Sequence, residues 1–227
     1  MEIREKVFKE LVVVQKLGKK SAEENLKLAE EIGYVPQAGD PRWKTIIERP
    51  GVIKVTEGGL FGHKETLDWH CNKPSNPERS PIIWIYAVKG SRGSITSWID
   101  NHKSYNDLPD DVKEKCKKIK FTCGFKKGGY TDDPFFREHH NTKLKHNLVY
   151  TNEAGVTGLF FPYLQILDGV PKDLYEYLKN HILQDKYRYD HYWEDGDVVI
   201  SEQWLTIHKR HAFEKMNERL MYRIAID

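Results

Sequence analysis

The sequence predicts a mainly β protein with a few inserted helices, folded as a double-stranded β-helix, or jelly roll. Three observations support this prediction. Short segments rich in β-branched and aromatic residues recur along the chain, turn residues separate them, and few stretches show helical periodicity. Many short strands with few helices are typical of two packed antiparallel sheets. A chain of 227 residues is long enough for one sizeable core, so we expect a single domain over residues 1–227.

The N-terminal third contains two predicted strands and one predicted helix. Residues 11–14 form a short apolar run and residues 51–56 alternate, and both patterns are typical of strands. Between them, Ser21 begins a helix with Glu24 as the partner of a capping box, and Gly33 is expected to end it.

The centre of the chain is rich in strand-forming residues. Strands are predicted at residues 81–88, 94–99 and 121–125, and helical segments at residues 100–108 and 109–118. The polar segment 126–143 is predicted to be a long loop, and long loops in compact domains often act as lids over sites.

The last third continues the alternation of strands and turns. Strands are predicted at residues 147–151, 157–161, 187–193, 198–200 and 220–226. The amphipathic segment 171–183 predicts a helix. We expect the aromatic side chains at 187, 189, 192 and 193 to lie in the core.

The charge balance gives no basis for a nucleic-acid or membrane partner. Lysine plus arginine number 36 and aspartate plus glutamate 34, for a net charge of +2. The basic residues 113–120 are interpreted as a solvated helix face. The longest apolar run, residues 82–88, is far shorter than the ~20 residues of a membrane span.

Cysteine usage indicates a reducing compartment. Cys71, Cys116 and Cys123 are odd in number and show no metal-knuckle spacing. Residues 1–9 are charged and lack the apolar region of a signal peptide. We therefore expect a cytoplasmic protein, and the sequence does not predict its oligomeric state.

Two separated motifs carry residues suited to metal and anion binding. The first is Trp69-His70-Cys71-Asn72, in which positions 70 and 72 share one side if the segment is a strand. Cys71 would then face the other way and serve packing.

The second motif begins with the turn Gly196-Asp197 and an apolar strand, and continues to His208, Arg219 and Arg223. A buried arginine requires an anion, and its planar fork suits a carboxylate.

Together these motifs resemble the taurine dioxygenase-like branch of the Fe(II)/2-oxoglutarate oxygenases, also called clavaminate synthase-like. That family has a W-H-x-D motif, a G-D-[LV]-V-[IL] strand, a distal histidine, and an R-x-x-x-R pair 11 and 15 residues after it. His208 stands in that relation to Arg219 and Arg223, and Thr96 falls where a family threonine contacts 2-oxoglutarate. The resemblance covers roughly residues 10–227.

The resemblance implies a jelly-roll enzyme that uses Fe(II), 2-oxoglutarate and O2. His70, Asn72 and His208 would hold the iron, two histidines and one further ligand leaving three positions open. Arg223, supported by Thr96, would pair with the distal carboxylate of 2-oxoglutarate, and Arg219 would lie near the keto-acid end. The implied reaction is hydroxylation of an unactivated C–H bond of a small molecule, with release of succinate and CO2.

Asn72 departs from the family pattern, which has a carboxylate there. Three interpretations stay open: Asn72 is a weak ligand; it leaves a coordination position free, as in a halogenase-like variant; or the protein is a catalytically silent jelly-roll binding protein. A shifted register with His63 and Glu65 as the first ligands is a further alternative.

Other polar residues are given structural or solvated roles. Glu202 is interpreted as a hydrogen-bond partner that braces the loop before the distal histidine. His139, His140 and His211 are expected to be solvated, and Arg79 and Arg92 are treated as ordinary exposed arginines that could meet an acidic substrate.

Overall fold

The computed structural model describes residues 2–36, 47–56, 65–124, 143–213 and 219–227. Over these residues the chain forms strands β1 to β15 in the order Val12–Lys16, Ile47–Arg49, Val52–Thr56, Leu67–His70, Ile82–Lys89, Ile95–Asp100, Lys120–Cys123, Leu144–Asn147, Val149–Thr151, Thr157–Leu159, Ile166–Asp168, Arg188–Tyr192, Asp197–Glu202, Thr206–Arg210 and Leu220–Ile226. Helices α1 to α5 span Ile3–Glu10, Ala22–Glu30, Asn101–Asn106, Asp110–Lys117 and Lys172–Ile182.

Two antiparallel sheets provide the surfaces between which the site lies. The larger sheet has six strands in the order β1-β13-β5-β15-β3-β2, and the smaller has four in the order β12-β6-β14-β4. Neighbours such as β13 and β5, or β14 and β6, are far apart in sequence, as a jelly roll requires. The mainly β jelly-roll fold predicted from the sequence is confirmed.

Burial explains why the central strands of the larger sheet have continuous apolar runs. In β13 every residue is buried, and β5 is buried at five of its first six positions. Helices α1 and α2 help to cover one face of this sheet, where Val7, Phe8, Leu26 and Ala29 pack in the same cluster as Trp84. The opposite face of these strands is left for the site.

A second cluster lies around the smaller sheet and the two accessory sheets, β11-β7-β8 and β10-β9. It joins Leu178 and Ile182 of α5 to Phe121 of β7 and Phe160 after β10. Trp69, immediately before His70, belongs to the same cluster. The backbone that carries the first motif is therefore anchored in a packed core.

Most predicted elements are present, and their ends differ by one to three residues. The capping box is confirmed, because Ser21 Oγ accepts from the backbone N–H of Glu24 while the Glu24 carboxylate accepts from the backbone of Ser21. Helix α2 ends at Glu30, before Gly33. Gly33 has a different role, since a Cβ there would lie 2.2 Å from the backbone oxygen of Asp227.

The packing of the aromatic strand was predicted only in part. Tyr187 and Trp193 are buried, as expected, but Tyr189 and Tyr192 are 43% and 68% exposed. Strand β12 lies at the edge of the smaller sheet, so alternate side chains face solvent.

The lid predicted at residues 126–143 lies almost entirely outside the described residues, as do His63, His139 and His140. The single-domain assignment stays a prediction. Among the described residues, no helix has the length and apolar character needed to cross a membrane.

Candidate active site

A cavity of about 80 Å³ lies between the two sheets. Strands β3, β5 and β15 supply one wall, and β4, β6 and β14 supply the other. Its described lining residues are Val55, Leu67, His70, Asn72, Ile85, Thr96, Trp193, His208, Arg210, Arg219, Met221 and Arg223. All six site residues identified from the sequence, His70, Asn72, His208, Thr96, Arg219 and Arg223, therefore line one cavity.

The two histidines are brought together by strand pairing. His70 at the end of β4 is the register partner of His208 on β14. Their ring centroids are 4.2 Å apart with the planes tilted by 53°. Two imidazoles so close and not stacked suit a common metal ion.

The tautomer of His70 is set by the strand. Its Nδ1 lies 2.6 Å from the backbone oxygen of Asp68, so Nδ1 carries the proton and donates. This leaves the Nε2 lone pair available to a metal ion, and metal-ligating histidines typically have the same arrangement. Burial lowers the pKa of His70 to about 4, so the ring is neutral near pH 7.

His208 is also prepared as a neutral ligand. Burial, followed by the nearby His70 and Arg223 charges, lowers its pKa well below the ordinary value. Its Nδ1 is buried without a hydrogen-bond partner among the described residues. An imidazole nitrogen left in this state is costly unless a ligand occupies the site.

Asn72 reaches the cavity by a different route from the one predicted. Strand β4 ends at His70, and Asn72 lies beyond it in a bend, so the argument from strand alternation was wrong here. Gln165 holds the chain in this conformation. Its side-chain oxygen accepts from the backbone N–H of Cys71 over 2.9 Å, and its side-chain nitrogen donates to the Cys71 carbonyl over 3.0 Å. This clamp directs the chain after His70, and Cys71 is buried in packing, as predicted.

The Asn72 carboxamide is oriented by Gln203. Asn72 Nδ2 donates to Gln203 Oε1 over 2.8 Å. The side-chain oxygen of Asn72 has no protein partner within the described ranges, which makes it the atom available to a ligand. An amide oxygen is a neutral donor, suited to a hard divalent cation but weaker than a carboxylate.

No described lining residue carries a carboxylate. The Asp68 side chain accepts from the backbone of Trp69 and is 57% exposed. Within the described residues no group of three His, Cys, Asp or Glu side chains could hold a metal. The donor set that fits a metal is therefore two neutral imidazoles and one carboxamide oxygen, with His63 outside the described residues.

Glu202 has the structural role expected of it. It is fully buried, and one carboxylate oxygen accepts from the backbone N–H groups of Trp204 and Leu205. Burial raises its pKa to about 7, because these two hydrogen bonds only partly offset the loss of water. It thereby fixes the turn between β13 and β14, which presents His208.

Three arginines make the cavity strongly cationic. Arg210 and Arg219 are 6% and 5% exposed, and burial lowers the pKa of Arg219 and Arg223 to about 10 in each case. With pKa values near 10, Arg219 and Arg223 stay charged near pH 7. Guanidinium groups that line a cavity whose described lining residues include no carboxylate suit an anionic ligand.

Electrostatic coupling orders Arg219 and Arg223 along the cavity. Arg223 lowers the pKa of both His70 and His208. Arg210 also lowers the pKa of His70, more than Arg223 does. Arg210 lowers the pKa of Arg219 too, and the Arg219 and Arg210 guanidinium groups lie 5.0 and 5.6 Å from the ring centroid of Phe213. Arg219 is not among the charges that shift either histidine, which favours Arg223 as the arginine nearer to the pair.

Thr96 lies beside Arg210, its register partner across β6 and β14. Its Oγ1 accepts a hydrogen bond of 2.9 Å from Trp193 Nε1. The Thr96 hydroxyl hydrogen is then left to donate toward the cavity. A hydroxyl held in this way is suited to a carboxylate oxygen.

Sequence reasoning missed Arg210, Trp193, Gln203 and Gln165. Arg210 could have been found: it follows His208 by two residues, and strand alternation places both on one face once residues 206–210 are recognised as a strand. Trp193 was assigned only to the core. The glutamines gave no signal, because their partners lie 94 and 131 residues away.

Two residues treated as exposed are held by the fold. His211 is half-buried and its Nε2 lies 2.7 Å from Ser97 Oγ. Arg79 is 7% exposed, with its guanidinium 4.4 Å from the Trp204 ring centroid and a hydrogen bond to the backbone oxygen of Gln203. It supports the turn before His208 and does not line the cavity, whereas Arg92 is exposed as expected.

Comparison with known proteins identifies relatives along nearly the whole chain. The family model described as "Taurine catabolism dioxygenase TauD, TfdA family" matches residues 4–225. Pentalenolactone F synthase of Streptomyces avermitilis is 24% identical over 257 aligned residues, covering 98% of this chain and 83% of the relative. The Streptomyces arenae protein of the same name is 23% identical, with 90% and 78% covered.

Solved structures share the fold. A putative α-ketoglutarate-dependent taurine dioxygenase from Burkholderia xenovorans superposes with a TM-score of 0.79 at 18% identity, over 100% of this chain and 82% of the other. AAD-2 in complex with Mn(II) and N-oxalylglycine gives 0.79 at 18% identity, over 99% and 85%. A putative 2,4-D dioxygenase from B. xenovorans gives 0.75 at 18% identity, over 99% and 85%.

Proposed function

Because this chain belongs to the TauD, TfdA family and is an Fe(II)- and 2-oxoglutarate-dependent dioxygenase, we propose that it hydroxylates an unactivated C–H bond of a small molecule. The co-products would be succinate and CO2. The observation that carries this proposal is the pair of neutral imidazoles, with ring centroids 4.2 Å apart, in a cavity lined with arginines.

His70, Asn72 and His208 are the proposed ligands of the iron. His70 would bind through Nε2, since its Nδ1 donates to the strand backbone. Asn72 would bind through its side-chain oxygen, since its nitrogen donates to Gln203. When bound, the metal supplies O2 activation coupled to oxidation of 2-oxoglutarate. The protein's own contribution is a preset ligand geometry and a cavity shielded from water.

Arg219, Arg223 and Thr96 are the proposed 2-oxoglutarate residues, with the two arginine roles exchanged relative to the sequence-based expectation. Arg223 is coupled to both histidines, which favours it for the keto-acid end beside the metal. Arg219 is coupled to Arg210, whose register partner is Thr96. We therefore assign the distal carboxylate to Arg219 and Thr96.

An acidic substrate is favoured by the charge of the cavity. The charges of Fe(II) and the 2-oxoglutarate dianion cancel, which leaves the charges of Arg219 and Arg223 in excess, since no described lining residue carries a carboxylate. The names of the structural relatives mention taurine and 2,4-D, both acids, and this agrees with the electrostatic argument.

The two alternatives raised by Asn72 have less support. Asn72 lines the cavity with its oxygen available, so it fills the third ligand position that a halide would need. A silent binding protein would not require both histidines to be held neutral and adjacent. For location we keep the cytosol as a proposal, based on three free, buried cysteines.

Anaerobic absorption spectroscopy tests the proposed function directly. Adding Fe(II) and 2-oxoglutarate to the wild-type protein should give the weak visible charge-transfer band of a chelated keto acid. Exposure to O2 should then release succinate, and acidic candidate substrates should increase this release more than their neutral esters. His208→Ala should show neither band nor succinate. Wild type without band and succinate would refute the proposal.

A further inference from the structure

Gln203 is a buried polar residue immediately after β13, and each of its polar groups makes a hydrogen bond. It is 1% exposed. Its backbone N–H donates to the Pro81 carbonyl over 2.8 Å, and its backbone oxygen accepts from Arg79. The main chain from which its side chain projects is therefore fixed on both sides.

The side-chain carboxamide of Gln203 can adopt only one orientation. Its Nε2 donates to the backbone oxygen and the hydroxyl of Ser201, over 3.3 and 3.1 Å. Its Oε1 accepts from the backbone N–H and Nδ2 of Asn72, over 3.5 and 2.8 Å. If the amide were flipped, its oxygen would face the carbonyl oxygen of Ser201 and its nitrogen would face the backbone N–H of Asn72. Position 72 is thus faced by a fixed acceptor.

A fixed acceptor discriminates between side chains at position 72. The Asn72 carboxamide offers a donor to Gln203 and an oxygen to the cavity. A carboxylate of the same shape has only acceptors, so one of its oxygens would stand against Gln203 Oε1 at hydrogen-bond distance. This contact would be repulsive and, at a 1% exposed partner, poorly screened by water.

We propose that Gln203 is a positioning residue that aims the Asn72 oxygen into the cavity and selects a carboxamide over a carboxylate at position 72. The inference rests on the proposed function, since it takes Asn72 as a metal ligand. It makes Asn72 and Gln203 a matched pair, so that the site is organised to hold a carboxamide at position 72 and to disfavour a carboxylate there. A single change back to aspartate then does not restore a carboxylate-type site.

Gln165 provides the matched control. It is also a buried glutamine, 8% exposed, and it also holds the segment after His70. Among the described residues, however, its side chain hydrogen-bonds only to the backbone of Cys71, so it does not face the side chain at position 72. Changes at 165 and 72 are therefore expected to act independently, and changes at 203 and 72 are not.

The first arm of the test uses metal-free protein and thermal unfolding. Asn72→Asp should lower Tm by about 4 °C or more in the wild-type background and by less than about half as much in Gln203→Met. In the Gln165→Met background, Asn72→Asp should lower Tm by the same amount as in wild type. Additive losses in the Gln203 background would overturn the inference. If Gln203→Met does not fold, Asn72→Leu serves as the reference variant. The Asn72→Asp protein should then have a lower Tm than the Asn72→Leu protein, and the reverse order would also overturn the inference.

The second arm measures Mn(II) binding in the presence of 2-oxoglutarate. Gln203→Met alone should weaken binding about 10-fold or more, the usual effect of losing a group that orients a ligand. Asn72→Asp should tighten binding less than about 3-fold in wild type, but about 10-fold or more in Gln203→Met. An equal gain in both backgrounds would refute selection by Gln203. If no variant binds metal, the proposed function fails, while the metal-free arm still decides the Gln203–Asn72 pairing.

Discussion

Replacing Arg219 with methionine should stabilise the metal-free protein and weaken 2-oxoglutarate binding. Arg219 is 5% exposed, and its Nε is buried with no hydrogen-bond partner in the described part of the chain. Burial, and then repulsion by Arg210, lowers its pKa from 12.5 to about 10. At ~1.4 kcal/mol per pKa unit, this corresponds to roughly 3 kcal/mol of destabilisation of the charged form before an anion binds.

Methionine replaces the apolar stem of arginine up to about the position of Nε and needs no counter-ion, so the variant should recover part of that cost. The contact of Arg219 with the Phe213 ring at 5.0 Å is lost in exchange, and such contacts contribute about 0.5–2 kcal/mol. A net gain of about 1–2 kcal/mol should raise Tm by about 2–8 °C. Loss of a buried charged pair with the cosubstrate costs about 2–5 kcal/mol, so the Kd for 2-oxoglutarate should rise about 30-fold or more.

Two measurements check this expectation: thermal unfolding with a chelator present, and anaerobic titration of the Fe(II) protein with 2-oxoglutarate. Arg188→Met is the control, because Arg188 is a surface arginine paired with Asp185 and Asp190 and remote from the cavity lining. It should change neither quantity appreciably. A lower Tm together with unchanged 2-oxoglutarate affinity for Arg219→Met would show that Arg219 is structural and would refute the reasoning.

Three further predictions follow from the same site. The folded state raises the pKa of Glu202 to about 7 from an ordinary 4.5, so its stabilising contribution is complete below about pH 4.5 and is lost as the pH rises through 7. Between about pH 5 and about pH 8, the unfolding free energy of wild type should fall by up to about 3 kcal/mol more than that of Glu202→Gln. Denaturant unfolding that gives the same pH dependence for both proteins would contradict this. Trp193→Phe removes the 2.9 Å hydrogen bond to Thr96 and should raise the KM for 2-oxoglutarate about 3- to 10-fold, with a lower Tm because a 2% exposed side chain is made smaller; an unchanged KM would count against Thr96. Because the proposed protein ligands carry no negative charge, Mn(II) should bind at least about 10-fold more tightly with 2-oxoglutarate present, and 2-oxoglutarate should bind more tightly with Mn(II) by the same factor; calorimetry showing independent binding would exclude this coupling.

The fold was largely predictable because its strands are marked by local patterns. Residues 81–88 and 220–226 are strand-like whatever surrounds them, and they became the adjacent central strands β5 and β15. Strand β14 was not recognised, since Thr206–Arg210 places a histidine, a lysine and an arginine where a buried strand usually has apolar residues. Burial of polar residues at a ligand site overrides the hydrophobic pattern by which strands are identified.

The site was predictable only where residue type and spacing define its chemistry. His208, Arg219 and Arg223 follow one another at fixed intervals along two adjacent segments, so their convergence could be anticipated. The irregularity between Leu220 and Met221 at the start of β15 leaves no reliable mark in the sequence. A bulge shifts which side chains face inward, so the end of 2-oxoglutarate that each arginine binds stays a proposal.

Asn72 illustrates why a motif cannot be interpreted one residue at a time. Compared with a carboxylate pattern, it stands out as a defect, and the sequence then leaves open a weak ligand, a vacant position or an inactive site. The structure adds the partner 131 residues away, whose amide is fixed by Ser201 and presents an acceptor to position 72. Against that acceptor an amide fits and a carboxylate does not. The chemistry of position 72 is thus a property of a pair, and the second member of the pair lies in the turn that delivers His208.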